Sequence, residues 1–129
     1  MHSFLNPLVR SGAAGYQLMN VRTGACIADR LLTAFDSAAR NKGLLGRDSL
    51  PEGAAMIIAP CSSIHTFFMR FPIDVAFVAR DGRVIKVSAA VRPWRIAIAL
   101  GAYAVIEMPA GAFARSNTAR GDLLSINLP

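Results

Sequence analysis

Three ionisable residues lie in an otherwise apolar and aromatic stretch near the middle of the chain. They are His65, Arg70 and Asp74, within the segment from Ile64 to Phe77. A carboxylate surrounded by apolar side chains must be paired or hydrogen-bonded, because otherwise its pKa rises. We therefore expect His65, an arginine or backbone amides to satisfy Asp74.

This stretch supplies most of a candidate ligand-binding site, to which we assign Arg47, His65, Met69 and Asp74. Arg47 and His65 would donate hydrogen bonds to an anionic or polar small ligand, and Asp74 would orient one of them. The structural alternative is an Arg47–Asp74 ion pair that pins the glycine-rich connection to the sheet. The sequence leaves both open and predicts a non-catalytic module that binds an unidentified small molecule or protein partner.

A hydrolase-like enzyme is the alternative function, with Cys61, Ser62 or Ser63 as the nucleophile and His65 as the base. Such a set is recognised by its geometry and not by its spacing. Moreover, Cys61 follows Pro60 without the sharp, glycine-flanked turn that exposes a nucleophile. The residue types alone therefore favour a protein that is not an enzyme.

Neither a metal nor a cofactor is predicted. Cys61 and His65 lie four residues apart, but the second histidine is His2, near the N-terminus, and no second ligand pair follows. Glu107, a secondary site candidate together with Cys61, ends an apolar strand just before a predicted helix. We expect its carboxylate to meet the N-terminus of that helix, with a place in a binding pocket as the second interpretation.

The chain has 129 residues and a formal net charge of +6. Its arginines are scattered, which is typical of a solvated surface, so a nucleic-acid-associated protein is a weaker alternative.

No apolar run reaches the ~20 residues that a spanning helix needs, and residues 1–15 make a poor secretory signal. These features predict a cytoplasmic protein in which Cys26 and Cys61 are reduced.

Turn residues divide the chain into short elements. Residues 1–15 predict a loose tail and residues 16–129 a single domain. Helices are predicted from Thr33, as the N-cap, to Lys42 and over residues 109–117. Asp81 and Gly82 predict a type I′ hairpin turn. The strand candidates are residues 16–21, 25–31, 54–59, 64–69, 73–80, 83–88, 103–108 and 123–128.

About six or seven short strands and two short helices, without βαβ alternation, predict an α+β domain. The expected architecture is a curled, mostly antiparallel sheet or a small open barrel. Alternate side chains of a strand share a face, so His65, Phe67 and Met69 are expected together. Pro72 then bends the chain.

The order and spacing of several motifs resemble those of the domain-of-unknown-function 192 family, over about residues 25–128. The resemblance implies a small α+β fold with a barrel-like sheet, and it implies no particular reaction. The motifs that carry it are Lys42–Arg47, Ile64–Met69, Phe71–Phe77, Asp81–Gly82 with Val84, Val91–Trp94, Val105–Gly111 and Gly121–Asp122.

Overall fold

Short elements joined by turns make up the computed structural model, which describes residues 2–129. Within that range the chain forms the helices α1 (Asn6–Ser11), α2 (Ser37–Lys42) and α3 (Ala112–Arg115). The strands are β1 (Gln17–Asn20), β2 (Cys26–Ala28), β3 (Arg30–Ala34), β4 (Ala54–Ile58), β5 (Ser63–His65), β6 (Ile73–Val78), β7 (Val84–Val91), β8 (Ile96–Ile98), β9 (Ala104–Pro109) and β10 (Leu124–Asn127).

The strands of the described residues form three open sheets. The largest has the order β3-β4-β9-β6-β7 and is antiparallel except for the parallel β3–β4 pair. A second sheet has the order β10-β1-β2, and β5 pairs with β8 in a third. The predicted α+β class and mostly antiparallel pairing are confirmed, and the sheets do not close into a barrel. The strand count is higher than predicted, because β2 and β3 are separate strands and β8 lies in a segment without a clear pattern.

The two central strands of the largest sheet, β6 and β9, are covered on both faces. Every residue of β6 is buried, and in β9 only the last residue is partly exposed. In the register, Glu107 pairs with Met56 and Val75, whereas Asp74 pairs with Met108. Paired residues share a face and successive residues alternate. Glu107 and Asp74 therefore point to opposite sides of the same sheet.

Each face of this sheet carries its own apolar cluster. On the Asp74 side, Ile106 packs with Phe113 of α3. On the Glu107 side, Val75 and Phe77 pack with Leu44 of the connection that follows α2. The helices α2 and α3 are thus associated with opposite faces of the sheet. Asp74 therefore lies on the same side as α3, and Glu107 lies on the same side as α2. Among residues 2–129, no helix combines the length and apolar character required to cross a bilayer.

Residues 2–15 do not form the loose tail predicted for residues 1–15, of which Met1 lies outside the described residues. They contain α1, and Leu5 and Leu8 are buried in the core at 1 % and 3 % exposure. Residues three apart lie on the same helix face, so this pair packs as a unit. Pro7 and Gly12, which suggested a loop, instead occupy the first turn and the C-cap of α1.

The second helix is shorter than predicted at its start. Asp36 is the N-cap and accepts a hydrogen bond from the Ala39 amide at 2.8 Å, whereas Thr33 lies in β3 and pairs with Ile57. The tertiary pairing of β3 with β4 overrides the local capping preference of Thr33. The predicted end is correct: Gly43 is the C-cap, with φ of 46°.

The predicted hairpin forms between β6 and β7, but its turn is not of type I′. That turn needs positive φ at both central residues, and here Gly82 has φ of 98° while Asp81 is not in the positive-φ region. The Gly82 amide donates to the Ala79 carbonyl at 2.9 Å, and the Ala79 amide donates to the Arg83 carbonyl at 2.9 Å. The hairpin therefore turns one residue earlier than the Asp-Gly pair suggests.

The predicted strand 64–69 is also shorter in the structure. β5 ends at His65, and Phe68 has a positive φ of 66°, in the left-handed region and not in the extended conformation of a regular strand. The Met69 amide donates to the Thr66 carbonyl at 3.1 Å, which closes a turn. The expectation that His65, Phe67 and Met69 share a strand face is therefore wrong.

Candidate functional site

A cavity of about 380 Å³ opens beside the Glu107 face of the largest sheet. Its walls come from the last turn of α2, the Gly43–Leu45 connection, the residues around β5, and β9. Five side chains with distinct chemistry line it: Arg40, Cys61, His65, Met69 and Glu107. We call this space the Glu107 cavity.

Among the groups that line the cavity, Glu107 has the most strongly shifted pKa. Its side chain is buried at 4 % exposure, and its Oε1 has no hydrogen-bond partner among the described residues. Desolvation by burial raises the pKa of Glu107 to about 7. Gly43 faces this oxygen, and a Cβ added there would lie 3.7 Å from Oε1. The Gly43 backbone therefore lies next to the carboxylate, where even a Cβ would be in van der Waals contact with it.

Cys61 is a thiol donor in this arrangement. Its Sγ donates to the Ser63 carbonyl at 3.0 Å. Burial raises the pKa of the Cys61 thiol, and the nearby Glu107 carboxylate acts in the same direction. A cysteine nucleophile reacts as the thiolate, so both influences work against Cys61 in that role.

His65 is an exposed residue at the mouth of the cavity, and one of its ring nitrogens is already engaged. Nδ1 accepts a hydrogen bond from the Phe67 amide at 3.2 Å. In the neutral ring this contact leaves the proton on Nε2, which is then available as a donor. The ring also stacks on Phe67, with centroids 4.9 Å apart. Its hydrogen bond and its stacking both orient the imidazole.

Arg40 adds positive charge to the α2 side of the cavity. Its guanidinium donates to the Phe35 carbonyl at 2.9 Å and to the Ser37 hydroxyl at 3.3 Å. These contacts tie the side chain back to the start of α2. Lys42, in the same last turn, also lines the cavity and makes its α2 wall basic.

Asp74 lies outside this cavity and is satisfied by backbone amides. Its side chain is 1 % exposed; Oδ1 accepts from the Ala90 amide at 2.9 Å, and Oδ2 accepts from the Phe113 amide at 3.2 Å. Ala90 lies in β7 with φ of 48°, and Phe113 is in the first turn of α3. Asp74 therefore performs the helix-terminus role predicted for Glu107, and Glu107 faces the cavity predicted for Asp74.

Arg47 is separated from the other predicted site residues. It is exposed and lines a neighbouring depression of about 330 Å³ together with Thr33 and Met56. The ion pairs of residues 2–129 join other partners, so the Arg47–Asp74 pair does not form. Of the four predicted residues, His65 and Met69 lie around one cavity, where Cys61 and Glu107 join them.

A second feature lies next to His65 and was not predicted as a unit. Phe67 stacks on Trp94 with ring centroids 5.7 Å apart, and Phe68 packs against Trp94 at a tilt of 60° with centroids 4.6 Å apart. We call these three side chains the aromatic platform. The pairing that builds it joins residues far apart in sequence, so no local pattern indicates it.

Thr66 holds the aromatic platform together. It is fully buried; its hydroxyl accepts from the Arg95 amide at 2.8 Å and donates to the Arg92 carbonyl at 2.7 Å. Its own backbone amide donates to the Arg95 carbonyl at 2.8 Å, and its carbonyl accepts from the Trp94 amide at 3.0 Å. One threonine thus fixes the turn that carries Trp94 against the turn that carries Phe68.

Replacing Thr66 by valine should lower the free energy of unfolding by about 2 kcal/mol, because the part-buried Arg95 amide and Arg92 carbonyl both lose their hydrogen-bond partner. Amide hydrogen exchange at Arg95 should accelerate in the same variant. Thr66→Ser is the matched control: it loses a methyl group, at about 1 kcal/mol, but keeps the hydroxyl and slow exchange at Arg95. Unchanged Arg95 exchange in the valine variant would contradict the role given to the hydroxyl.

The fold and the cavity define a small α+β protein with open sheets and a buried carboxylate facing a polar pocket. Residues 20–126 match the model of the domain-of-unknown-function 192 family, described as "Uncharacterized ACR". The chain belongs to this family, as the order of its motifs predicts. Among curated proteins, none matches the chain.

Two crystal structures share the fold. One is a protein of unknown function from Novosphingobium aromaticivorans, with 26 % identity, a TM-score of 0.74, and coverage of 85 % of this chain and 82 % of that chain. The other comes from Sinorhizobium meliloti and is described as a candidate transcription regulator. It has 22 % identity, a TM-score of 0.74, and coverage of 85 % of this chain and 90 % of that chain. The description of neither structure names a catalytic activity. The arrangement of the cavity residues in this chain shows no evident catalytic site either.

Proposed function

We propose that this chain is a small-ligand-binding module and that its ligand occupies the Glu107 cavity. The observation that carries the proposal is the Oε1 atom of Glu107, which is buried and has no hydrogen-bond partner in residues 2–129. Buried polar atoms in folded proteins nearly always have a partner. A ligand group that donates to this oxygen would supply one.

The size of the cavity suits a small molecule. Its volume of about 380 Å³ is within the range of about 300–1,000 Å³ that is common for ligand pockets. Met69 and Ile58 supply apolar walls, and the polar groups are few and differ in kind. That combination is typical of sites in which shape provides the contact area and a few polar atoms orient the ligand.

The charges around the cavity indicate the class of ligand. Glu107 requires a donor, such as an ammonium, amide or hydroxyl group. Arg40 and Lys42 on the α2 wall, and Nε2 of His65 at the mouth, favour an acceptor or an anionic group. We therefore expect a small polar molecule that carries both a donor and an acceptor.

The hydrolase-like alternative has weaker support. The hydrogen bonds of the described residues include none between Cys61 and His65: the thiol contacts the Ser63 carbonyl, and Nδ1 of His65 contacts the Phe67 amide. The raised pKa of the Cys61 thiol also disfavours the thiolate.

A nucleic-acid role draws on the net charge of +6 and on the description of the Sinorhizobium meliloti relative. It would require binding that weakens steeply with salt.

Three probes test the proposed hydrogen-bonding requirements of the Glu107 cavity at pH 8. Methylammonium only donates hydrogen bonds, acetate only accepts them, and glycine does both. In titrations followed by amide chemical shifts, glycine should bind most tightly and acetate most weakly. The shifts should concentrate at Gly43, Ser63 and His65. Glu107→Gln should weaken methylammonium binding by about tenfold, since a hydrogen bond to a charged group is worth about 1.5–3 kcal/mol.

The matched control is Glu52→Gln, because Glu52 is a carboxylate that is 81 % exposed and lies outside the cavity. It should leave all three affinities unchanged. Acetate binding as tight as that of glycine, or equal methylammonium affinity in the wild type and Glu107→Gln, would exclude the proposed role of Glu107.

A further inference from the structure

The aromatic platform is an exposed apolar surface outside the Glu107 cavity. Phe68 is 71 % exposed and Trp94 is 55 % exposed. Ile96 and Ile98 of β8 extend the surface at 70 % and 53 % exposure, and Ile96 pairs directly with His65, which stacks on Phe67. Contiguous exposed apolar side chains of this kind mark interaction sites.

The backbone under the platform is strained. Phe68 and Trp94 both have φ of 66°, a region that bulky residues rarely adopt. Such conformations cost on the order of 1–3 kcal/mol each and persist only where the surrounding structure enforces them. Here the hydrogen bonds of Thr66 enforce them. The strain does not serve core packing, because both side chains point into solvent. It holds two aromatic rings in an exposed, fixed arrangement.

The charge around the platform is positive. The two segments that form this surface, residues 62–71 and 92–101, contain Arg70, Arg92 and Arg95 and no acidic residue. All three arginines are exposed, and Arg70 pairs with Asp48 from a different segment. The complementary partner therefore combines an apolar region with negative charge.

We propose that the aromatic platform docks on the surface of an anionic lipid bilayer, with Phe68 and Trp94 in the interfacial region and Arg92 and Arg95 against lipid phosphates. Tryptophan favours the membrane interface, where its ring is apolar and its N–H stays hydrated. Aromatic and aliphatic side chains flanked by arginines are the usual composition of peripheral membrane-binding surfaces. A bilayer also needs no complementary groove, which suits side chains that project from turns.

Trp94 is the single tryptophan of the chain, so its fluorescence reports on this surface alone. Vesicles of equal parts phosphatidylglycerol and phosphatidylcholine should shift its emission to the blue and sediment the protein, whereas pure phosphatidylcholine should do so weakly. Phe68→Ser should lower the partition coefficient by about tenfold or more. Arg92→Gln and Arg95→Gln should each lower it by about fivefold, and raised salt should weaken binding.

Val21→Ser is the matched control, because Val21 is 54 % exposed and lies in a different part of the fold. It should leave partitioning unchanged. Three results would overturn the proposal: no blue shift with anionic vesicles at low salt, equal binding to neutral vesicles, or equal binding by the wild type and Phe68→Ser. A concentration-dependent dimer in sedimentation that Phe68→Ser abolishes, with no vesicle binding, would assign the surface to a second copy of the chain.

Discussion

Replacing Asp74 by alanine should lower the free energy of unfolding by about 4 kcal/mol. The carboxylate is 1 % exposed and accepts hydrogen bonds from the Ala90 and Phe113 amides. Without it, the buried Phe113 amide and the part-buried Ala90 amide lose their acceptors, and each such loss costs about 1–3 kcal/mol. Urea denaturation at pH 7 measures the effect directly.

Asp74→Asn separates charge from shape. It keeps one oxygen acceptor but places an NH₂ group opposite the second backbone donor, so we expect a smaller loss of about 2 kcal/mol. Amide exchange should accelerate at Ala90 or Phe113 and remain slow in β6. The control is Asp48→Ala, since Asp48 is an 84 % exposed carboxylate, and a surface ion pair of this kind is worth about 0–1 kcal/mol. Equal effects of the Asp74 and Asp48 substitutions would show that Asp74 does not fix β7 and α3 to the sheet.

The stability of the wild type should fall as the pH rises from about 4.5 to about 7, through Glu107. In the unfolded chain this carboxyl loses its proton near its usual pKa of 4.5, whereas burial keeps the pKa of Glu107 in the folded chain at about 7. Between these values the unfolded state binds fewer protons, so rising pH favours unfolding. Each pKa unit is worth about 1.36 kcal/mol, and the penalty therefore reaches about 3 kcal/mol. Above pH 7 it stays constant.

Glu107→Gln removes this titration. The difference in unfolding free energy between variant and wild type should therefore shift in favour of the variant, by about 3 kcal/mol, between pH 4.5 and pH 8. The other titratable groups are common to both proteins and cancel in the difference. Glu52→Gln, at an 81 % exposed position, should track the wild type at every pH. A gap between Glu107→Gln and wild type that does not change with pH would contradict the buried, unpaired state of Glu107.

Asp74 and Glu107 also show which part of a site assignment can be made from local sequence. Asp74 and Glu107 both stand in apolar runs; the sequence predicts that Asp74 must be paired or hydrogen-bonded and that Glu107 contacts a helix N-terminus. Their roles are nevertheless exchanged in the structure, because Glu107 pairs with Val75 and Asp74 with Met108 on the opposite face. In a strand exposed on one face, polar alternation identifies the solvent side. β6 and β9 are apolar on both faces, so no such signal exists.

The sequence by itself determined the α+β class, the position of the β6–β7 hairpin and the end of α2 at Gly43. It also determined that the carboxylate after Pro72, Asp74, must be paired or hydrogen-bonded. These depend on apolar spacing, glycine conformation and residue chemistry, which act over a few neighbours. Only the tertiary structure decided that Glu107 faces a cavity and that Thr66 fixes Trp94 beside Phe68. Both result from pairings between segments distant in the chain, and the free energy of such contacts is absent from any local pattern.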